Sequence, residues 1–351
     1  MNIEFKLKDF EKTGEFYTDI YDVTPIKFCF VGPRGVGKTS LLASMYQQIK
    51  EKQISNVFID IDTPLGSETN EVLANSHADM EEMIDDTEKG GVVDLSSGLK
   101  GSQENKEFEF TGDYTVEDTD IISTSKYKRF RFHFRFVDMP GGWYENEGIE
   151  HKEDVKAHLL SSQVSFFAVD TPSLMKGGAT MLRNNKVSAI RGWYDSFASA
   201  LGAEHHTVII VLSRCEAFWM QQEEMLQAVQ QHYGAMINRL KENGVAVYVT
   251  WVKTLGGIEF SHFDKIVDAD GNRMSKPRFI RTGDYSPENC ATPMQLALKY
   301  GLVRAAESIP VGWLDKLGFG VKELAVEGAI NFADLLHDKL DAGKEDTFKQ
   351  L

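Results

Sequence analysis

A glycine-punctuated turn at residues 32–39 restricts the fold of this chain more than any other stretch of its sequence. The turn reads Gly-Pro-Arg-Gly-Val-Gly-Lys-Thr and follows residues 25–31, a short apolar run rich in β-forming side chains. After it, apolar residues recur at helical spacing to about Lys50. A turn of this kind between a strand and a helix can wrap its backbone N–H groups around a phosphate. The sequence therefore predicts a phosphate loop that joins a buried parallel strand to a helix.

Each position of this loop has an expected part in binding a nucleotide. The glycines let the backbone N–H groups turn inward toward the β-phosphate, and the start of the helix adds a favourable dipole. Lys38 brings positive charge to the β- and γ-phosphates, and Thr39 offers a hydroxyl to Mg²⁺. The predicted nucleotide-binding residues of the loop are Gly32, Arg34, Gly35, Val36, Gly37, Lys38, Thr39 and Ser40.

A second magnesium-binding side chain is predicted at the end of a neighbouring strand. Residues 134–142 read Phe-Arg-Phe-Val-Asp-Met-Pro-Gly-Gly, so that a strand ends in Asp138-x-x-Gly141. From that place Asp138 can reach Mg²⁺ through water, and the Gly141 N–H can sense the γ-phosphate. Thr39 and Asp138 are therefore the predicted metal residues, and Lys38 and Gly141 are predicted catalytic residues.

Strands and helices alternate along much of the remaining sequence. Apolar runs at residues 164–169, 207–212 and 245–249 are separated by helical patterns at residues 186–201 and 218–240. This alternation predicts an α/β fold with a doubly wound, mostly parallel sheet of the P-loop NTPase type.

In one segment the apolar residues recur at every second position, as in a strand with one exposed face. Residues 129–136 alternate phenylalanine with arginine or histidine, which is typical of a half-exposed antiparallel strand. The expected hairpin partner is residues 107–111, Glu-Phe-Glu-Phe-Thr, because cross-strand Glu–Arg pairs would fix the register.

The charge of the chain is concentrated in one segment. Residues 57–120 contain 18 acidic side chains and three lysines, which accounts for the whole net charge of −15. An acidic insertion is therefore predicted at about residues 57–106, with a helix at residues 67–89. It is either a solvated, partly mobile insertion or a docking surface for a basic partner. The acidic balance disfavours nucleic acid or an anionic membrane as the main partner.

Other composition features argue for an intracellular protein. The three cysteines, Cys29, Cys215 and Cys290, are too few and too far apart for a disulfide framework, so we expect reduced thiols. The first residues lack the layout of a secretion signal, and no stretch approaches the roughly 20 apolar residues of a membrane span. We expect a cytoplasmic location.

The sequence suggests three regions. Residues 1–24 form an N-terminal segment, and residues 25–260 form the P-loop domain with its acidic insertion. Residues 261–351 form a C-terminal helical extension, with helices predicted at residues 293–308 and 321–340.

The phosphate loop and Asp138-Met-Pro-Gly141, in this order, resemble the Ras-like GTPases of the translation-factor-related class over about residues 26–254. The chain also looks similar to GTPases of bacterial defence or conflict systems. Ras-like families carry Asn/Thr-Lys-x-Asp where this chain has Ser213-Arg214-Cys215-Glu216. The resemblance implies that Ser213, Arg214 and Glu216 lie on the base side and favour guanine. Residues 253–257 are a further candidate for a base-side loop.

The sequence departs from these families at the residue after Gly141. In the Ras-like families a glutamine at this position orients the attacking water, whereas this chain has Gly142. Intrinsic hydrolysis should therefore be slow unless a backbone group, Glu145 or a partner takes the place of the glutamine. Arg34 is a predicted catalytic residue that could reach the γ-phosphate as a finger supplied in cis; the alternative is an arginine that faces solvent or a partner.

The first switch has two alternative locations. It precedes residues 107–111 if these form a strand, which leaves Ser96, Ser97 or Ser102, and otherwise Thr115 or Thr119 becomes eligible.

The expected function is that of a GTP/GDP switch with Mg²⁺ as cofactor. We expect it to report its nucleotide state to a protein effector or activating partner through residues 138–148 and the acidic insertion. An ATPase on the same scaffold and a nucleotide-binding scaffold with little hydrolysis are the alternatives, and a phosphotransferase is a further one.

Overall fold

The computed structural model describes residues 5–10, 15–20, 26–52, 59–62, 68–95, 105–117, 127–144, 151–267, 273–307 and 348–351. Its strands are β1 (Phe5–Phe10), β2 (Glu15–Ile20), β3 (Ile26–Val31), β4 (Ile59–Asp62), β5 (Val92–Val93), β6 (Lys106–Glu117), β7 (Tyr127–Asp138), β8 (Val164–Asp170), β9 (Thr207–Ser213), β10 (Ala246–Trp251), β11 (Ile258–Val267), β12 (Arg273–Arg281) and β13 (Phe348–Gln350). Its helices are α1 (Lys38–Lys52), α2 (Thr69–Asp85), α3 (Lys152–Ser161), α4 (Thr171–Lys176), α5 (Gly178–Asn184), α6 (Val187–Ala203), α7 (Gln222–Glu242) and α8 (Ala291–Glu307).

The centre of the main sheet is parallel. Its strands run in the order β7, β3, β8, β9, β10, and each of these neighbouring pairs is parallel. Every residue of β8 and β9 is buried, which is why these strands are continuous apolar runs rather than alternating ones. The predicted α/β class with a mostly parallel sheet is confirmed.

The sheet continues beyond β7 through an antiparallel hairpin. Strand β6 pairs with β7 over its full length, with Phe108 opposite Phe136 and Glu109 opposite Arg135. The Arg135 guanidinium lies 2.8 Å from the Glu107 carboxylate and also forms an ion pair with Glu109. The predicted hairpin and its Glu–Arg pairing are therefore confirmed. Among the switch candidates, Thr115 lies within β6, whereas Ser96, Ser97, Ser102 and Thr119 are outside the described residues.

Two apolar layers cover the two faces of the main sheet. One contains side chains of α1, α2 and α8, and the other contains side chains of α3, α6 and α7. Helix α8 comes late in the chain but packs on β3, β8 and β9. Residue 260, where a domain boundary was expected, lies inside β11. The division of the chain into domains stays a prediction.

A small second sheet follows the parallel strands in the chain. Strand β12 pairs with β11 on one side and with the two residues of β5 on the other, all antiparallel. This sheet was not predicted, since residues 261–351 were expected to form a helical extension and instead include most of β11 and all of β12. Strand β5 pairs with Phe279 and Ile280, so among the described strands β12 has a neighbour on one side alone at Pro277.

Short strands extend both ends of the main sheet. The hairpin β1–β2 joins β7 through β2, and β13 pairs with β10 at the opposite end. The helix predicted at residues 321–340 lies outside the described residues. Within the described ranges, no helix combines the length and the apolar character needed to cross a membrane.

Candidate functional site

The turn at residues 32–39 lies between β3 and α1 and has the backbone of an anion-binding loop. Gly35 and Gly37 adopt φ of +76° and +91°, in the left-handed region that glycine enters without strain. A side chain would meet no atom within 4 Å at either position, so the backbone conformation and not the space available calls for glycine. The N–H groups that open α1 follow directly, which favours a bound anion.

Three side chains converge at the start of α1. The Thr39 Oγ1 donates a hydrogen bond to Asp138 Oδ2 at 2.6 Å, and the Lys38 Nζ lies 3.9 Å from Asp138 Oδ1. The Lys38 Nζ also donates to the Gly32 carbonyl at 3.1 Å. Burial lowers the pKa of Lys38, and the Asp138 charge opposes that shift. Lys38 is only 8% exposed, so a bound phosphate would supply the further negative charge that a buried ammonium lacks.

Thr39 and Asp138 suit a magnesium ion. Mg²⁺ prefers oxygen ligands and usually keeps several waters, with one or two carboxylates. Asp138 is 1% exposed, and among the described residues its Oδ1 has no hydrogen-bond partner. A hydroxyl beside a buried carboxylate that has one oxygen without a hydrogen bond is therefore a donor set into which the ion and its waters fit.

The turn after Asp138 packs directly on the phosphate loop. A Cβ added to Gly141 would lie 2.2 Å from the Arg34 nitrogen and 2.6 Å from the Pro33 carbonyl carbon. Only glycine permits this approach of two backbones. Gly142 differs, because it is exposed and a Cβ there would meet nothing within 4 Å. Arg34 is also exposed, and within the described part of the chain no hydrogen bond or ion pair engages its guanidinium.

The last residue of β9, Ser213, and the next residue, Arg214, contact the backbone of the phosphate loop. The Ser213 hydroxyl lies 3.1 Å from the Val36 carbonyl, and Arg214 Nη2 donates to the Gly35 carbonyl at 2.7 Å. The Arg214 Nε lies 3.1 Å from the buried carboxylate of Asp170, which forms an ion pair with it. The structure thus places Ser213 and Arg214 on carbonyl groups of the phosphate loop, which was not predicted, and their role toward the base stays a prediction.

Glu216 is tied to the loop that follows β10. Its Oε1 accepts hydrogen bonds from the backbone N–H groups of Leu255 and Gly256 at 3.2 and 3.3 Å. Burial raises the pKa of Glu216, and these hydrogen bonds and the Arg214 charge oppose the shift. The other oxygen, Oε2, is buried and has no hydrogen-bond partner among the described residues. Glu216 is not among the residues that line the cleft described below. Its expected contact with the nucleobase therefore stays a prediction.

A cleft of about 910 Å³, including the space at its mouth, runs from the phosphate loop to the loop after β10. The predicted residues from Arg34 to Ser40 line it together with Asp138, Gly141 and Arg214. Thr254 and Leu255, from the predicted base-side loop, also line it.

One wall of this cleft was missed in the sequence. Helix α2 and the segment after it contribute Asp79, Met80, Met83 and Leu95 to the lining. The helix was predicted, but its acidic composition indicated a surface insertion. No local signal shows that this helix packs over the start of α1.

No family model matches the sequence, and no curated protein does either. Among solved structures, the chain is similar to the signal recognition particle receptor SRb-GTP/SRX complex from Chaetomium thermophilum, with 15% identity and a TM-score of 0.36; the match covers 67% of this chain and 93% of that one. It is also similar to the S. cerevisiae Ski7 GTPase-like domain bound to GDP and inorganic phosphate, with 16% identity and a TM-score of 0.33.

The GTP-bound form of that Ski7 domain gives the same identity and TM-score. The matches span 43% and 42% of the two Ski7 chains, less than half of their length. No residue role is carried over at this level of similarity.

Proposed function

We propose that this chain is a nucleotide-dependent switch that binds GTP and GDP with Mg²⁺ and hydrolyses GTP. The observation that carries the proposal is the contact of Thr39 with Asp138 beside Lys38, at the end of a loop with the backbone of a phosphate site. The preference for guanine rests on the sequence resemblance alone, and so does any link to bacterial defence systems.

The expected reaction is attack of water on the γ-phosphorus, with cleavage of its bond to the β–γ bridging oxygen. Lys38 offsets the negative charge on the β- and γ-phosphates, and the Gly141 turn contacts the loop that holds them. Thr39 and Asp138 would hold Mg²⁺, which would supply positive charge against the negative charge that develops on the phosphates. Gly142 has no side chain to orient the water, so we expect slow turnover without a partner.

Calorimetric titration with GTP and with ATP, each with and without Mg²⁺, tests this function. We expect GTP to bind more tightly than ATP and Mg²⁺ to strengthen binding. Phosphate release then separates an enzyme from a scaffold that only binds nucleotide. Tighter binding of ATP would favour the ATPase alternative, and failure to bind either nucleotide would contradict the proposal.

The proposed partner surface combines the turn after Asp138 with the acidic insertion. Of residues 138–148, the structure describes 138–144, in which Gly141–Tyr144 form one 3-10 turn. The Trp143 ring stacks on the His151 ring at 4.7 Å, so this turn is joined to the residue that precedes α3. A change of the turn with the γ-phosphate would therefore be passed on to α3, and Trp143 fluorescence would report it.

A further inference from the structure

Helix α2 presents one face to the cleft that begins at the phosphate loop. Asp79, Met80 and Met83 line the cleft, and their spacing of three and four residues places them on one side of the helix. Met80 is buried, Met83 is half-buried, and Leu95 continues the apolar surface beyond the helix. This part of the acidic insertion is therefore an apolar wall of the site.

This wall is held in place from the second sheet. Arg281, at the end of β12, donates to the backbone carbonyls of Asp85 and Thr87 at 2.9 and 2.7 Å. It also forms an ion pair with the Asp85 side chain at 3.2 Å. The His77 and Tyr285 rings lie 5.0 Å apart with their planes nearly perpendicular, which gives the middle of the helix a second attachment.

The side chains that line the cleft are of two kinds. Lys38, Thr39 and Asp138 are polar and suit phosphate and a cation, whereas Met80, Met83, Leu95 and Leu255 are apolar. Phosphate gains nothing from apolar contact, but the flat face of a nucleobase does, and methionine sulfur packs well on aromatic rings.

We propose that the Met80–Met83 face of α2 packs against the nucleoside of the bound nucleotide, and that Arg281 is the positioning residue of this wall. The proposal rests on the proposed function and names a residue set of the same site. Release of the nucleoside breaks its apolar contacts with this wall, and the acidic insertion thereby slows nucleotide release.

The test uses the full chain and compares Met83→Ala with a matched control, Met220→Ala. Met220 is 91% exposed and lies outside the cleft. We expect Met83→Ala to weaken GDP binding and to speed GDP release by about tenfold, from lost apolar contact. The control should change neither, and Met83→Leu should restore most of the affinity.

Tripolyphosphate distinguishes contact with the nucleoside from damage to the phosphate loop. It has no nucleoside, so its inhibition constant as a competitor of GDP should agree within about twofold between Met83→Ala and the unaltered chain. Arg281→Ala should show the same pattern, with faster GDP release and unchanged tripolyphosphate binding. An equal loss of tripolyphosphate affinity in Met83→Ala would overturn the proposal.

The outcomes separate this inference from the proposed function. If the unaltered chain binds GDP and Met83→Ala releases it no faster than Met220→Ala, the inference alone is overturned. If the unaltered chain binds neither guanine nor adenine nucleotides, the proposed function is wrong and the inference falls with it.

Discussion

Thr39 and Asp138 lie 99 residues apart in the chain, and the Thr39 hydroxyl donates a 2.6 Å hydrogen bond to the Asp138 carboxylate. Their meeting follows from the sheet. Strands β3 and β7 are parallel neighbours, with Phe30 opposite Asp138, so both end at the same edge. Ligand sites in open α/β sheets form at the carboxyl ends of the strands, and this pair marks that edge.

Removal of the Thr39 hydroxyl should remove most of the gain in GDP affinity that Mg²⁺ provides. For Thr39→Ala we expect Mg²⁺ to strengthen GDP binding by less than about threefold, because the ion loses a ligand beside Asp138. Thr39→Ser keeps a hydroxyl and should retain the effect. Titration of GDP with Mg²⁺ or with EDTA measures this. A full Mg²⁺ effect in Thr39→Ala would remove Thr39 from the predicted metal residues.

Placing glutamine at residue 142 should speed hydrolysis. Gly142 is exposed and a side chain there has open space, so Gly142→Gln can be introduced without displacing the phosphate loop. Orientation of the attacking water should raise the single-turnover rate by about tenfold or more. Gly142→Ala is the control for loss of glycine and should not accelerate. An equal rate in both variants would show that water orientation does not limit this chain.

Arg34 should act on the chemical step rather than on binding. Its guanidinium is exposed at the cleft, so a swing onto the γ-phosphate breaks no contact within the described residues. Fingers of this kind contribute roughly a thousandfold or more to the rate. In Arg34→Ala the single-turnover rate should therefore fall strongly while the dissociation constant for GTP stays within about threefold. An unchanged rate would eliminate the finger role.

Buried His206 should make folding stability depend on pH. Its Nδ1 lies 2.7 Å from the Ser162 carbonyl and its Nε2 lies 2.9 Å from the Ser165 hydroxyl, which in turn contacts the Tyr194 hydroxyl. Nδ1–H donates to the carbonyl, so Nε2 accepts, as a neutral imidazole can. Burial lowers the pKa of His206 to about 4.

Because the folded pKa lies below the ordinary value of about 6.5, the unfolded chain binds more protons between these values. The free energy of unfolding should therefore fall as the pH is lowered from about 6.5 to 4, by about 3 kcal/mol in total from this group. Urea denaturation at several pH values, on the unaltered chain and on His206→Gln, isolates the contribution. Equal pH slopes in the two chains would contradict it.

The parts of the site that could be predicted are those whose sequence pattern lies within a few neighbouring residues. The phosphate loop, the strand that ends at Asp138 and the hairpin fixed by Arg135 all have signals within a few residues. The wall made by Met80 and Met83 has none, because helical spacing shows which face is apolar but not which surface it covers. Tertiary contacts from Arg281, about two hundred residues away, decide that.

For residues 213–216, the sequence did not reveal which groups the side chains contact. The resemblance placed Ser213, Arg214 and Glu216 on the base side of the nucleotide, and this role stays a prediction. It did not reveal that Arg214 is engaged by Asp170, or that Glu216 is engaged by the backbone of Leu255. These partners lie at the ends of β8 and β10, and only the order of strands in the sheet brings them together.

Binding of GTP with Mg²⁺ to Lys38→Ala, measured by titration calorimetry beside the unaltered chain, tests the central claim most directly. Lys38 is the buried cation of the phosphate loop, and loss of a buried charge pairing commonly costs at least about 2 kcal/mol, or thirtyfold in affinity. We predict that the unaltered chain binds GTP and that Lys38→Ala binds it at least about thirtyfold more weakly. Equal affinity in the two chains would contradict the assignment of this loop as the nucleotide site.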